Sequence, residues 1–123
     1  MNTDYPPLLL AYVGDAVFEL NIRRRLLEEK ILPIHKLHQR ATRIVRADGQ
    51  DRALRMIEPH LSEAEAEIVR RGRNTKGRVP KNADMSAYRR ATGFEALLGW
   101  LYLNNQEERL DELLNMIEIG EEE

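Results

Sequence analysis

The sequence predicts an all-α fold in a single domain spanning residues 1–123. Three observations carry that prediction. Apolar residues recur at three- and four-residue spacing through most of the chain. Clean apolar–polar alternation is scarce along the chain, and no Asn-Gly turn occurs. With 42% hydrophobic residues in 123 positions, the chain can fill one core but not two.

Each helix has its own signals. Pro6-Pro7 lead into an apolar-periodic segment over about 8–29, as proline does at a helix start. Pro33 breaks it. A second helix over about 34–47 carries Ile34, Leu37, Ala41, Ile44 and Val45 at helical spacing. Gly49 separates a short third helix, about 50–57, which ends near Pro59. Ser62 with Glu65 three residues on has the form of a capping box and starts a fourth helix, to about 71. Residues 72–83 combine two glycines, a proline and closely spaced Lys/Arg, and read as a basic loop. A fifth helix, about 84–104, carries Phe94, Leu97, Leu98 and Leu101. A sixth, about 106–118, carries Leu110, Leu113, Leu114 and Ile117. Gly120 ends it, and the last three glutamates are expected to be disordered. The sequence shows no repeat or linker.

Composition narrows the function. No run approaches the roughly 18 apolar residues that a membrane span needs. The N-terminus lacks the layout of a signal peptide. Cysteine is absent, which removes disulfides, thiolate metal sites and cysteine nucleophiles. A cytoplasmic protein is the natural expectation. The net charge of −2 conceals a basic body with an acidic tail. Residues 70–90 hold eight Lys/Arg against Asp84 alone, and residues 22–55 hold ten against four acids. Such segments point either to a polyanion partner or to well-solvated helix faces.

Two acids look out of place. On a helical wheel, Leu9, Tyr12, Val13, Ala16, Val17 and Leu20 form what reads as a core stripe. Ala11, Phe18, Ile22 and Leu8 form a second apolar stripe, with Gly14, Asn21 and Arg25 at the polar edge. A helix apolar on two sides is sandwiched between two partners, such as its own core and another subunit. Asp15 falls inside the second stripe, where a carboxylate is costly unless paired or metal-bound. It is either a salt-bridge partner of an arginine or a functional acid. Glu19, one turn on, has Arg23 at i+4 and fits a routine helix-surface pair. Glu95 stands in Phe94-Glu95-Ala96-Leu97-Leu98-Gly99-Trp100-Leu101-Tyr102-Leu103, the most apolar run of the chain. Two isolated acids near basic segments suit a cation site, and carboxylates with a phosphate substrate suit Mg²⁺. His35 and His38 lie at i,i+3 without a further ligand nearby in sequence.

Leu10-Ala11-Tyr12-Val13-Gly14-Asp15-Ala16-Val17 resembles the signature helix of the ribonuclease III class. Phe94-Glu95-Ala96-Leu97-Leu98-Gly99-Trp100-Leu101-Tyr102-Leu103 resembles that family's last catalytic helix. The motifs occur in the family's order, and the resemblance covers essentially the whole chain. The family's usual site has four acids. Asp15 and Glu95 match two of them, while Ala11 and Thr92 stand at the other two positions. This reduced set, the basic Arg-Gly-Arg-Asn and Pro-Lys-Asn loop and the absence of a double-stranded-RNA-binding domain are similar to the compact Mini-III branch.

The resemblance implies an all-helical, homodimeric endonuclease domain. It implies a Mg²⁺-dependent endoribonuclease cleaving double-stranded RNA, notably the 23S precursor ribosomal RNA. Products would carry 5′ phosphates and 3′ hydroxyls, and the two sites of a dimer would leave a short 3′ overhang. Asp15 and Glu95 would hold Mg²⁺, one ion per site by default, with Glu19 supporting them from one helical turn away. Arg70, Arg71, Arg73, Asn74, Lys76, Arg78, Lys81 and Asn82 are the candidates for RNA contacts, which weaken steeply with salt. In the family the signature helix packs on its twin, and Tyr12 would help fill the partner. The wheel puts Tyr12 on the core stripe, so it does not separate core from interface. A ribosomal protein as a further partner stays open. Two rival classes share the basic segments: a non-catalytic RNA-binding ribosome-assembly factor, and a helical DNA-binding module built on residues 34–57.

Overall fold

The computed structural model describes residues 5–75 and 84–120. Its helices are α1 (Pro7–Glu29), α2 (Ile34–Val45), α3 (Ala47–Ile57), α4 (Glu63–Arg73), α5 (Met85–Leu103) and α6 (Glu107–Asn115). A short 3-10 turn, Glu58–His60, follows α3. No strand occurs among the described residues, so the all-α expectation holds. Lys76, Arg78, Lys81, Asn82 and the last three glutamates lie outside the described residues.

Local chemistry sets several helix ends. Proline opens α1, where its missing N–H costs nothing. Ser62 and Glu65 form the expected reciprocal capping box of α4. Asp84 caps α5 by accepting from the Ser86 and Ala87 amides at 2.9 and 3.2 Å. Two glycines were expected at breaks and are instead helical. The break between α2 and α3 falls at the extended Arg46, and Gly49 sits inside α3. A Cβ there would meet the Ile44 carbonyl oxygen at 2.2 Å, so the first turn of α3 is pressed on the end of α2. Gly72 lies inside α4, which runs on to Arg73, because it packs against Gly93 of α5.

The core is built around α5, which packs against α1, α3, α4 and α6. Phe18 and Phe94 meet edge to face at 4.9 Å in its centre. Leu10, Ile22, Leu26, Leu54, Ile57, Leu97, Leu98, Leu101 and Leu113 are fully buried with them. The α1–α5 crossing is very close. A Cβ on Gly14 would lie 1.7 Å from the Glu95 carbonyl oxygen, and one on Gly99 would lie 1.9 Å from that of Leu10.

Buried and half-buried arginines tie the periphery down. Arg90 of α5 pairs with Asp51 of α3 and, at 2.9 Å, with Glu58. Arg109 of α6 makes two 2.8 Å bonds to Glu65 of α4. Arg25 of α1 donates to the Ile117 carbonyl at 2.6 Å, just past α6. That bond, with short-range bonds at Met116 and Ile117, ends α6 sooner than the expected 118. Arg40 reaches Glu29 at 3.2 Å. Arg25, Arg40 and Arg90 of the basic segments thus serve the fold, as does Arg109 of the acidic tail.

The two stripes of α1 exchange the roles assigned to them. Leu10, Ala11, Gly14, Phe18, Asn21, Ile22 and Leu26 face the core. Leu9, Tyr12 and Leu20 are exposed, Tyr12 at 79% and Leu20 at 72%. Leu8, placed with the second stripe, is exposed as well. Gly14 and Gly99 decide this: they let α1 press its small-residue face against α5, which turns the Leu9–Leu20 stripe outward.

The crossing gives a direct test. Gly14→Ala puts a methyl group into the Glu95 backbone, and neither helix can move without opening the core. We expect a loss of about 3 kcal/mol or more in urea unfolding, at the upper end of overpacking effects. An unchanged midpoint would contradict the close approach.

Candidate active site

The crossing of α1 and α5 brings together the two acids that the sequence left far apart. Gly14 lies against the backbone of Glu95, and Asp15 follows directly. Asp15 is exposed, Glu95 is half-buried, and the Asp15 carboxyl lies near enough to that of Glu95 to act on it. A third helix completes the cluster. Gln50 of α3 is buried, and its side-chain Nε2 donates to Glu95 Oε2 at 3.0 Å and to the Val45 carbonyl at 2.8 Å.

The electrostatics follow from this placement. Burial pushes the Glu95 carboxyl up to about 8, and the adjacent Asp15 carboxyl adds to the rise. The Gln50 N–H works in the opposite sense, because it favours the ionised form. Two like-charged groups this close act as one unit.

Ala11 and Thr92, where the sequence resemblance would place two further acids, carry no charge. Ala11 is buried on the core face of α1. Thr92 donates its hydroxyl to the Tyr88 carbonyl at 3.1 Å, within its own helix. Glu19 forms the i,i+4 pair with Arg23, at 3.4 Å. Tyr12 lies on the outward face, three residues before Asp15.

The basic end of α4 packs on α5 at Gly93, on a different face of the helix from Glu95. Gly72 packs on Gly93, and the Arg73 side chain passes beside Gly93, two residues before Glu95. Arg70, Arg71, Arg73 and Asn74 are exposed there, and Arg70 is paired with Glu67. Their positive charge also complements the C-terminal end of the helix dipole.

Gln50 is the residue that sequence reading missed. Gln50, Ala53, Leu54 and Ile57 make one helical stripe on which Gln50 is the lone polar member, a pattern that hints at burial but does not name its partner.

The raised Glu95 carboxyl has a consequence for stability. A group whose pKa is higher in the folded chain holds a proton that the unfolded chain has released. Its contribution to stability falls as pH rises from about 4.5 to about 8 and stays low above that. Glu95→Gln is neutral at every pH and escapes this loss. In EDTA, the Tm of Glu95→Gln relative to the unaltered protein should rise between pH 5 and pH 8 and then level off. A gap that does not change with pH would contradict the carboxyl pairing.

Comparison with known proteins agrees with the geometry. The Ribonuclease III domain profile matches residues 8–106. The chain is 51% identical over 110 residues to the Mini-ribonuclease 3 of Symbiobacterium thermophilum, covering 89% of this chain and 85% of that protein. Against the Mini-ribonuclease 3 of a Synechococcus species the identity is 45% over 118 residues, covering 94% and 82%. A crystal structure of a Fusobacterium nucleatum protein superposes with a TM-score of 0.83 at 33% identity, covering 92% of this chain and 91% of that one. The ordered motifs, the helical fold and the likeness along nearly the whole chain lead to one conclusion: the chain belongs to the ribonuclease III domain family, in its Mini-ribonuclease 3 branch.

Proposed function

We propose that the protein is a Mg²⁺-dependent endoribonuclease that cleaves double-stranded RNA as a homodimer. Its natural substrate in this reading is the base-paired stem of 23S precursor ribosomal RNA. The observation that carries the proposal is the close crossing of α1 and α5 at Gly14 and Gly99, which sets Asp15 beside Glu95.

The donor set fits a hard divalent cation. Two neighbouring carboxylates repel one another when both are ionised, and a cation relieves that repulsion. Mg²⁺ takes oxygen ligands and keeps several waters, so it needs few protein ligands. Among the described residues no group of three or more His, Cys, Asp or Glu comes together, so the pair is the candidate ligand set there. Bound at this pair, Mg²⁺ supplies charge neutralisation at the phosphodiester and a lowered pKa for water.

The chain's own residues do the rest. Asp15 and Glu95 hold the ion, directly or through water, and Glu19 supports Asp15 from the next turn of α1. Arg71, Arg73 and Asn74, with Lys76, Arg78, Lys81 and Asn82, would take the phosphate backbone. Duplex RNA is recognised chiefly by shape, phosphates and 2′-hydroxyls, which suits the exposed basic side chains at the end of α4. Hydrolysis toward the 3′ oxygen as leaving group gives 5′-phosphate and 3′-hydroxyl ends. The exposed stripe Leu9, Tyr12 and Leu20 supports the dimer, because large apolar side chains in a row on one helix face mark an interaction surface.

Two experiments test this reading. With a labelled RNA duplex, cutting should require Mg²⁺, stop in EDTA and fall at least about 100-fold in Asp15→Asn with duplex binding intact. Binding without any cutting would favour a non-catalytic RNA-binding factor. In sedimentation, the unaltered chain should run as a dimer and Tyr12→Asp as a folded monomer. A Tyr12→Asp dimer would remove this face from the interface.

A further inference from the structure

Gln50 is an expensive residue where it stands. It is 3% exposed in the first turn of α3. Its Oε1 is buried without a hydrogen-bond partner. Such orphaned acceptors are rare and call for a compensating gain. Its Nε2 holds two acceptors at once: the Val45 carbonyl at 2.8 Å and Glu95 Oε2 at 3.0 Å. Both amide protons are therefore used, and the carboxamide can face only one way. Val45 ends α2, where carbonyls lack partners within the helix. The corner is also rigid, because Gly49 is pressed on the Ile44 carbonyl.

We propose that Gln50 is a positioning residue for the reaction: from the α2–α3 corner it fixes one oxygen of Glu95 and leaves the other to the cation site beside Asp15. The assignment rests on the reading of Asp15 and Glu95 given above. The chemistry favours an amide. A carboxylate rotates about its last torsion with little preference, so an unheld Glu95 samples several orientations. An arginine at this place would fix Glu95 but neutralise it and compete with a cation. An amide N–H fixes the oxygen and leaves the charge for the metal. This is the part that partners beyond the ligands play in metal centres.

The test compares the unaltered chain, Gln50→Met and Glu95→Gln as full-length proteins. Gln50→Met keeps the length of the side chain and removes the donors. Mn²⁺ binding without RNA is followed by electron paramagnetic resonance. kcat and KM are measured on a duplex at saturating Mg²⁺, and duplex affinity in EDTA. For Gln50→Met we expect Mn²⁺ affinity and kcat each to fall about 10- to 100-fold. KM and duplex affinity in EDTA should stay within about twofold, which a merely structural role would not produce. Unaltered Mn²⁺ affinity and kcat in Gln50→Met, with Glu95→Gln impaired, would overturn the role of Gln50 alone. Unaltered Mn²⁺ affinity and cleavage in Glu95→Gln would overturn the site as well. A measurement on the unaltered chain does not depend on how the variant folds: the Gln50 side-chain amide resonances should shift when Mg²⁺ is added. Resonances that stay fixed would count against the proposal.

Discussion

The structure depends on one close approach. α1 and α5 cross with their backbones in contact, Gly14 against the Glu95 carbonyl and Gly99 against the Leu10 carbonyl. Protein interiors have little slack, so a methyl group at either place cannot be absorbed quietly. The contact sets which face of α1 is buried. It also sets the site, because Asp15 follows Gly14 and Glu95 precedes Gly99 by one turn. The packing that holds the core together thus sets two carboxyl groups beside one another. Burial of Glu95 beside Asp15 costs stability once Glu95 is ionised, and groups perturbed in this way cluster at functional sites.

Charge elsewhere divides between support and surface. Arg25, Arg40, Arg90 and Arg109 are spent on carbonyls and carboxylates that link helices. Half-buried and directed at several acceptors each, they outweigh the exposed i,i+4 pairs, which contribute little. Arg71 and Arg73, by contrast, are exposed at the end of α4. Basic density along the sequence was therefore a mixture of two roles, and burial separates them.

Much of this was legible in the chain. Helix positions followed from apolar spacing, prolines and the Ser62–Glu65 capping box, because these are local signals. Asp15 and Glu95 stood out because an acid among apolar neighbours needs a reason. Three things were not legible, and each is a contact between distant residues. The buried face of α1 depends on Gly99, 85 positions after Gly14, so the wheel alone assigned it the wrong way round. Gly49 and Gly72 read as breaks because a packing glycine and a turn glycine look alike until the neighbour is seen. Gln50 is neutral and common on helix surfaces, and only its burial against Glu95 gives it meaning.

Whether Asp15 and Glu95, steadied by Gln50, form one cation site is tested most directly by anomalous diffraction from crystals of the protein grown with Mn²⁺. A single strong peak is expected in each copy, liganded by the Asp15 and Glu95 carboxylates, with the Gln50 amide still bonded to Glu95. Ordered Mn²⁺ at other residues, with none at this pair, would contradict this expectation.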